Sequence, residues 1–203
     1  MDFDVLIVGG GAAGMSCALV IGSAMNKPFA EGKKAGIILH QKASHLQSAL
    51  FNNVLGLEPG TTGNSILKRG KEQLQNLYPE VSLIEREKVK EISALPAEGF
   101  EVLTNKKTYT AKEVVVAVGY EAPMRIKGLE DYIVPHQRAK ISKNRIQLKN
   151  DDHLVAPGLY VAGALAGWRS QYSIACGSGA SVATDILTRW NHGEHVKVHD
   201  KLV

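Results

Sequence analysis

Residues Val5-Leu6-Ile7-Val8 run straight into Gly9-Gly10-Gly11, and a stretch of small residues, Ala12 to Met25, follows at once. Four consecutive apolar residues suit a strand covered on both faces, as in a parallel sheet. The small residues behind them read as a helix. Gly9-x-Gly11-x-x-Gly14 at such a strand–helix junction is the spacing of a dinucleotide fingerprint. Its first glycine permits the tight turn, its second lets backbone approach a pyrophosphate, and its third lets helix and strand pack closely. Free N–H groups of the loop, Ala12 and Ala13 included, together with the positive end of the helix dipole, then favour phosphate charge.

The rest of the chain continues the alternation. Gly36 to His40 and Val81 to Ile84 read as further strands, with Leu67 to Leu77 carrying helical apolar spacing between them. Phe100 to Thr104 and Thr108 to Thr110, joined across Lys106-Lys107, read as an antiparallel hairpin. Val114 to Val118 and Gly158 to Gly163 read as two more buried strands, and Gly179 to Trp190 as a closing helix. Strand–helix alternation of this kind predicts an α/β, Rossmann-like three-layer fold with a mainly parallel sheet and an antiparallel hairpin insert. Residues 1–190 are expected to form one domain and 191–203 a polar tail.

With 203 residues, 44% of them apolar and 22% charged, the chain excludes a mainly disordered protein and needs no disulfide or metal to hold a core. Its net charge of +4 is too small to imply nucleic-acid binding unless the basic residues cluster. They do so in one place, residues 125–149, with seven basic side chains against Glu130 and Asp131. Two accounts of that segment stand: a patch for phosphates or an acidic partner, and a solvated connection. Cys17 and Cys176 form no CxxC pair, and buried reduced thiols are the simpler expectation. His192, His195 and His199 have roughly helical spacing, but Gly193 interrupts it, and no metal site is expected. No basic leader or ~20-residue apolar run is present, so a cytoplasmic chain with no membrane partner is expected.

A dinucleotide site of this type expects an acid at the end of the second strand, facing the adenosine ribose. His40-Gln41-Lys42 stands there instead. Gln41 can accept through its amide oxygen, His40 and Lys42 can favour a 2′-phosphate as in NADP, or the loop touches nothing.

The ordered set of motifs resembles the FAD-binding domain of the thioredoxin reductase group of flavoproteins. Asp4 to Gly14 is similar to the family's opening, and Asn53-Val54-Leu55-Gly56 to its short Asn-containing turn. Val114 to Gly119 resembles its Ala-Thr-Gly strand, with Val118 in place of Thr, and Gly158 to Gly163 its second flavin motif. Arg169 to Ala175 resembles the segment that sets a helix N-terminus beneath the flavin ring; an ordinary loop with Ser173 as helix N-cap is the alternative. The resemblance implies FAD held by Gly9, Gly11 and Gly14 at the pyrophosphate. Asn53, Gln171 and Ser173 would lie near the isoalloxazine, and Val89 and Ala117 to Gly119 along the adenosine. His45, Gly163, Ala164 and Tyr172 complete the expected cofactor set; Trp168 and Tyr172 flank Gln171, where they either line a flavin face or are simply packed.

Three departures qualify the resemblance. About forty residues join Gly119 to Gly158, where the family inserts an NADPH-binding domain, so halves 1–132 and 141–190 are expected to be joined by a short basic linker. The redox CxxC of thioredoxin reductases is missing. The family's Gly-Asp, whose carboxylate accepts a ribityl hydrogen bond, reads Gly163-Ala164 here. The resemblance therefore implies an FAD-binding oxidoreductase fed by free NAD(P)H or by an electron-transfer protein, with a homodimer left open. A non-catalytic dinucleotide-binding or sensor module is the alternative.

Overall fold

The computed structural model describes residues 1–40 and 44–198. The elements, in chain order, are β1 (Phe3–Val8), α1 (Ala12–Ala24), β2 (Ala35–Leu39), β3 (Leu50–Phe51), β4 (Thr61–Thr62), α2 (Gly63–Leu77), β5 (Ser82–Glu85), β6 (Val89–Ala94), β7 (Phe100–Thr104), β8 (Thr108–Val116), β9 (Ile133–Pro135), β10 (Ile146–Leu148), β11 (Leu154–Ala156), β12 (Leu159–Val161) and α3 (Tyr172–Trp190). The main sheet runs β11-β12-β8-β1-β2-β5. β1 lies between two parallel neighbours, with Ile7 opposite Ile37 of β2 and Val115 of β8.

Side chains alternate across β1, which explains its uninterrupted apolar run. Val5 and Ile7 enter one core, with Cys17, Ala18 and Ile21 of α1 and Val182 and Ile186 of α3. Leu6 and Val8 enter the other, with Val102 of β7, Val116 of β8 and Leu148 of β10. All four are essentially inaccessible, each contributing on the order of 2 kcal/mol. The result is a three-layer α/β fold, helices over one face of a mainly parallel sheet and antiparallel strands over the other.

β8 is the hinge between layers. Its first half pairs antiparallel with β7, with Leu103 opposite Thr108, and its second half pairs parallel with β12, with Leu159 opposite Val114. The expected hairpin is thus part of a three-stranded unit, β6-β7-β8, and its second arm continues into the buried Val114 strand. A register shift between Val89 and Glu91 turns both Val89 and Ile92 inward at a spacing of three, so β6 lacks the two-residue alternation that announces a strand. α3 begins at Tyr172, seven residues before the expected start, because Gly177 and Gly179 lie inside it.

The basic stretch 125–149 carries structure of its own. β9 and β10 form an antiparallel ribbon, and Ile126, Leu129, Ile146 and Leu148 are buried in the second core. Its charged residues are exposed except Arg145, which packs on Tyr120. The tail from residue 191 is not wholly free either: Val196 is buried against the first core. His199 lies outside the described residues.

Candidate functional site

The glycine loop sits where β1, β2 and β8 end together. Gly9 N–H donates to Ile38 O at 3.0 Å, and Ala117 N–H to Val8 O at 2.8 Å. Gly9 has φ +114°, and a Cβ there would lie 2.4 Å from Ala117 O. Gly14 lets α1 descend onto the loop, since a Cβ would lie 1.8 Å from Gly9 O. Gly11 differs from both. Its φ is −79°, and an added Cβ would meet nothing within 4 Å. Neither the backbone nor the packing requires glycine there.

Gly11 is also the N-cap of α1, with no side-chain cap and no acid in the first turn. The positive end of the helix dipole therefore opens into a groove of about 380 Å³. Thirteen of the expected residues line it: Gly9 and Gly11 from the first loop, Ala12 and Ala13 at the start of α1, His40 and His45, Ala117, Val118 and Gly119 after β8, and Gly163, Ala164, Gln171 and Tyr172 beyond β12. A neighbouring recess of about 300 Å³ shares Gly9, His40, His45, Val118 and Gly119 with the groove and contains Val89. The two form one path across the C-terminal ends of the parallel strands, where open α/β sheets bind ligands.

Gly14 lies beneath the loop rather than on the groove. Asn53 and Ser173 are exposed and line neither cavity. Gln41 and Lys42 lie outside the described residues. Gln171 caps α3, its Oε1 accepting from Ile174 N–H at 3.0 Å, and Ser173 does not. Trp168 is off the groove, stacked on His153 at 6.0 Å under the Arg138 guanidinium.

Several wall residues escaped the sequence reading. Phe51 lines the groove and packs on Tyr172 at 5.1 Å. Tyr120 lines it too, with the Arg145 guanidinium 4.9 Å from its ring centre. Arg145 also pairs with Glu121 and holds that carboxyl below its usual range, first through their hydrogen bond. Glu87, Lys88 and Arg125 line the recess. Tyr120, directly after Gly119, was the one readable by position.

The two thiols occupy different settings. Cys17 is fully buried on α1, and desolvation pushes its pKa up. Cys176 is half-buried on α3 and shares a hydrogen bond with Tyr172, whose hydroxyl is raised to about 12, chiefly by burial. Native protein should therefore react at one thiol per chain with a soluble disulfide reagent, and at two after denaturation. Two equivalents in the native state would show that Cys17 is reachable.

Similar proteins bear directly on this geometry. The fold resembles a thioredoxin reductase from Gloeobacter violaceus, with TM-score 0.75 and 16% identity, over 100% of this chain and 99% of that one. It also resembles an oxidoreductase from Agrobacterium tumefaciens (TM-score 0.72, 16% identity, 96% and 100% covered). A third is a ferredoxin-flavin thioredoxin reductase from Clostridium acetobutylicum (TM-score 0.65, 18% identity, 94% and 98% covered). No curated protein matches. At these identities the likeness speaks for the fold. The sequence itself matches the family profile over residues 3–164, a span running from β1 through the glycine loop to the Gly163–Ala164 wall. On that match, the chain belongs to the pyridine nucleotide-disulphide oxidoreductase family.

Proposed function

We propose that this chain is an FAD-binding oxidoreductase of thioredoxin-reductase type that lacks a nicotinamide-nucleotide domain and a redox cysteine pair of its own. Electrons would come from free NAD(P)H or from a partner protein. The observation that carries the reading is Gly11: ordinary backbone, open space where its Cβ would be, and a helix N-terminus aimed into the groove. A pyrophosphate fits that cradle, because loop N–H groups and the helix dipole favour its charge and any side chain would displace it.

Gly9, Gly11, Ala12 and Ala13 would hold the pyrophosphate, the recess at Val89 the adenosine, and Gln171 with Tyr172 the ring end. FAD bound there would supply the redox chemistry, accepting and releasing two electrons. The chain's own part is to bind, orient and shield. Between β8 and β11 only the β9–β10 ribbon and short turns occur, which supports the absence of a second nucleotide domain. Cys17, inaccessible on α1, is poorly placed to take electrons, which supports a route without a dithiol. The likeness to a ferredoxin-flavin thioredoxin reductase supports a protein donor.

Ala164 favours the second reading, a dinucleotide-binding module without catalysis. It puts a methyl on the groove wall where the family's carboxylate would accept a bond. The visible spectrum separates the two. Purified protein should be yellow, with the two bands of oxidised flavin, and acid should release FAD. Protein that stays colourless after incubation with excess FAD would rule out the flavin reading and favour the module.

A further inference from the structure

The ribbon that stands between β8 and β12 grips the second cofactor loop. That loop is a 3-10 turn, Gly163–Ala166, with left-handed glycines on either side at Gly163 (φ +80°) and Gly167 (φ +89°). Three side chains from the ribbon and its exit donate to the turn's carbonyls: His136 Nε2 to Ala164 O at 3.0 Å, Gln137 Nε2 to Gly167 O at 3.2 Å, and Asn150 Nδ2 to Ala166 O at 3.2 Å. Of the three acceptors only Ala164 lines the groove. From the other side Gly163 N–H donates to Ser178 Oγ, which is hydrogen-bonded to His153.

We propose that His136 is a positioning residue for the cofactor: by donating from Nε2 to Ala164 O it holds the Gly163–Ala164 wall in its binding conformation. The inference rests on the flavin reading above. The direction of the bond follows from the neighbours of the ring. Arg138 N–H, a donor only, points at Nδ1 at 3.1 Å, so Nδ1 carries the lone pair. The neutral ring then carries its hydrogen on Nε2, facing a carbonyl that can only accept. His136 is 7% exposed, and its ring lies 5.2 Å from that of Tyr120, another groove wall. Water therefore cannot readily replace the lost donor, and the glycines at either end of the turn offer little resistance to its shifting.

Isosteres test the bond atom by atom. Gln places an amide donor near the position of Nε2, whereas Asn reaches only the position of Nδ1. FAD titrations of apo-protein, followed by quenching of flavin fluorescence, should show His136→Leu and His136→Asn weakened about tenfold, and His136→Gln within about threefold of native. Nitrogen NMR of the native apo-protein should find His136 as the Nε2–H tautomer. A His136→Leu protein that binds FAD like the native one overturns the proposal. So does equal behaviour of Asn and Gln, which also decides the matter if the Leu variant fails to fold, and so does an Nδ1–H tautomer. Native protein that binds no FAD would instead remove the flavin reading, and this role with it.

Discussion

Gly11→Val is expected to weaken FAD binding on the order of 100-fold while leaving the fold intact. The two halves of that outcome come from one observation. An added Cβ at Gly11 meets no protein atom within 4 Å, and its φ of −79° is ordinary for any residue. Stability should therefore change by no more than the modest difference between Gly and Val at a helix N-cap, up to about 1 kcal/mol. The space the side chain enters is the groove itself, at the point where loop N–H groups would meet the pyrophosphate. Losing those contacts should raise the dissociation constant on the order of 100-fold, equivalent to roughly 2.7 kcal/mol. Gly11→Ala should fall between the two. Thermal melts and FAD titrations on the same preparations check both halves. A folded Gly11→Val protein with native FAD affinity would show that this loop is not the site.

The parts of the fold legible in the sequence are those whose signal is local. The β1 run is apolar without a break because its two faces meet two different cores, and a continuous run is what such burial demands. β6 hides for the opposite reason. Its register shift turns Val89 and Ile92 inward together, so no two-residue alternation survives to be read. The ribbon is hard to read because charged residues are scattered through 125–149, while the buried side chains that anchor the segment, Ile126, Leu129, Ile146 and Leu148, are few and widely spaced. The start of α3 is hard to read because glycine is a poor helix former, and the close approach to Ala13 that Gly179 permits leaves no local pattern.

Site residues follow the same division. The glycine loop announces itself because spacing, strand and helix are contiguous. Asn53 and Ser173 rest on the resemblance alone; both are exposed and line neither cavity. His136 gave no signal. It lies 28 positions from the carbonyl it holds, on a segment that reads as a connector, and only the fold brings the two together.

Two glycines of α3, two positions apart, should respond to alanine with opposite signs. At Gly177 an added Cβ meets nothing within 4 Å, and the residue is an exposed position inside the helix. Alanine there removes backbone freedom from the unfolded chain without touching the native structure, so Gly177→Ala should stabilise by about 0.5–1 kcal/mol. At Gly179, which is buried, the same Cβ would lie 1.9 Å from Ala13 O on α1. That atom is backbone in the first turn of a buried helix, so it cannot rotate out of the way. Either α1 or α3 must move, and both pack in the first core against β1. Gly179→Ala should therefore destabilise by about 3 kcal/mol or more, despite alanine's better helix propensity. For a chain of this length that loss corresponds to a fall in Tm of roughly 10 °C. Urea or thermal unfolding of the two variants beside the native protein measures the contrast directly. Equal and small shifts for both would mean that α1 and α3 do not approach each other as closely at Ala13 and Gly179 as the structure has them.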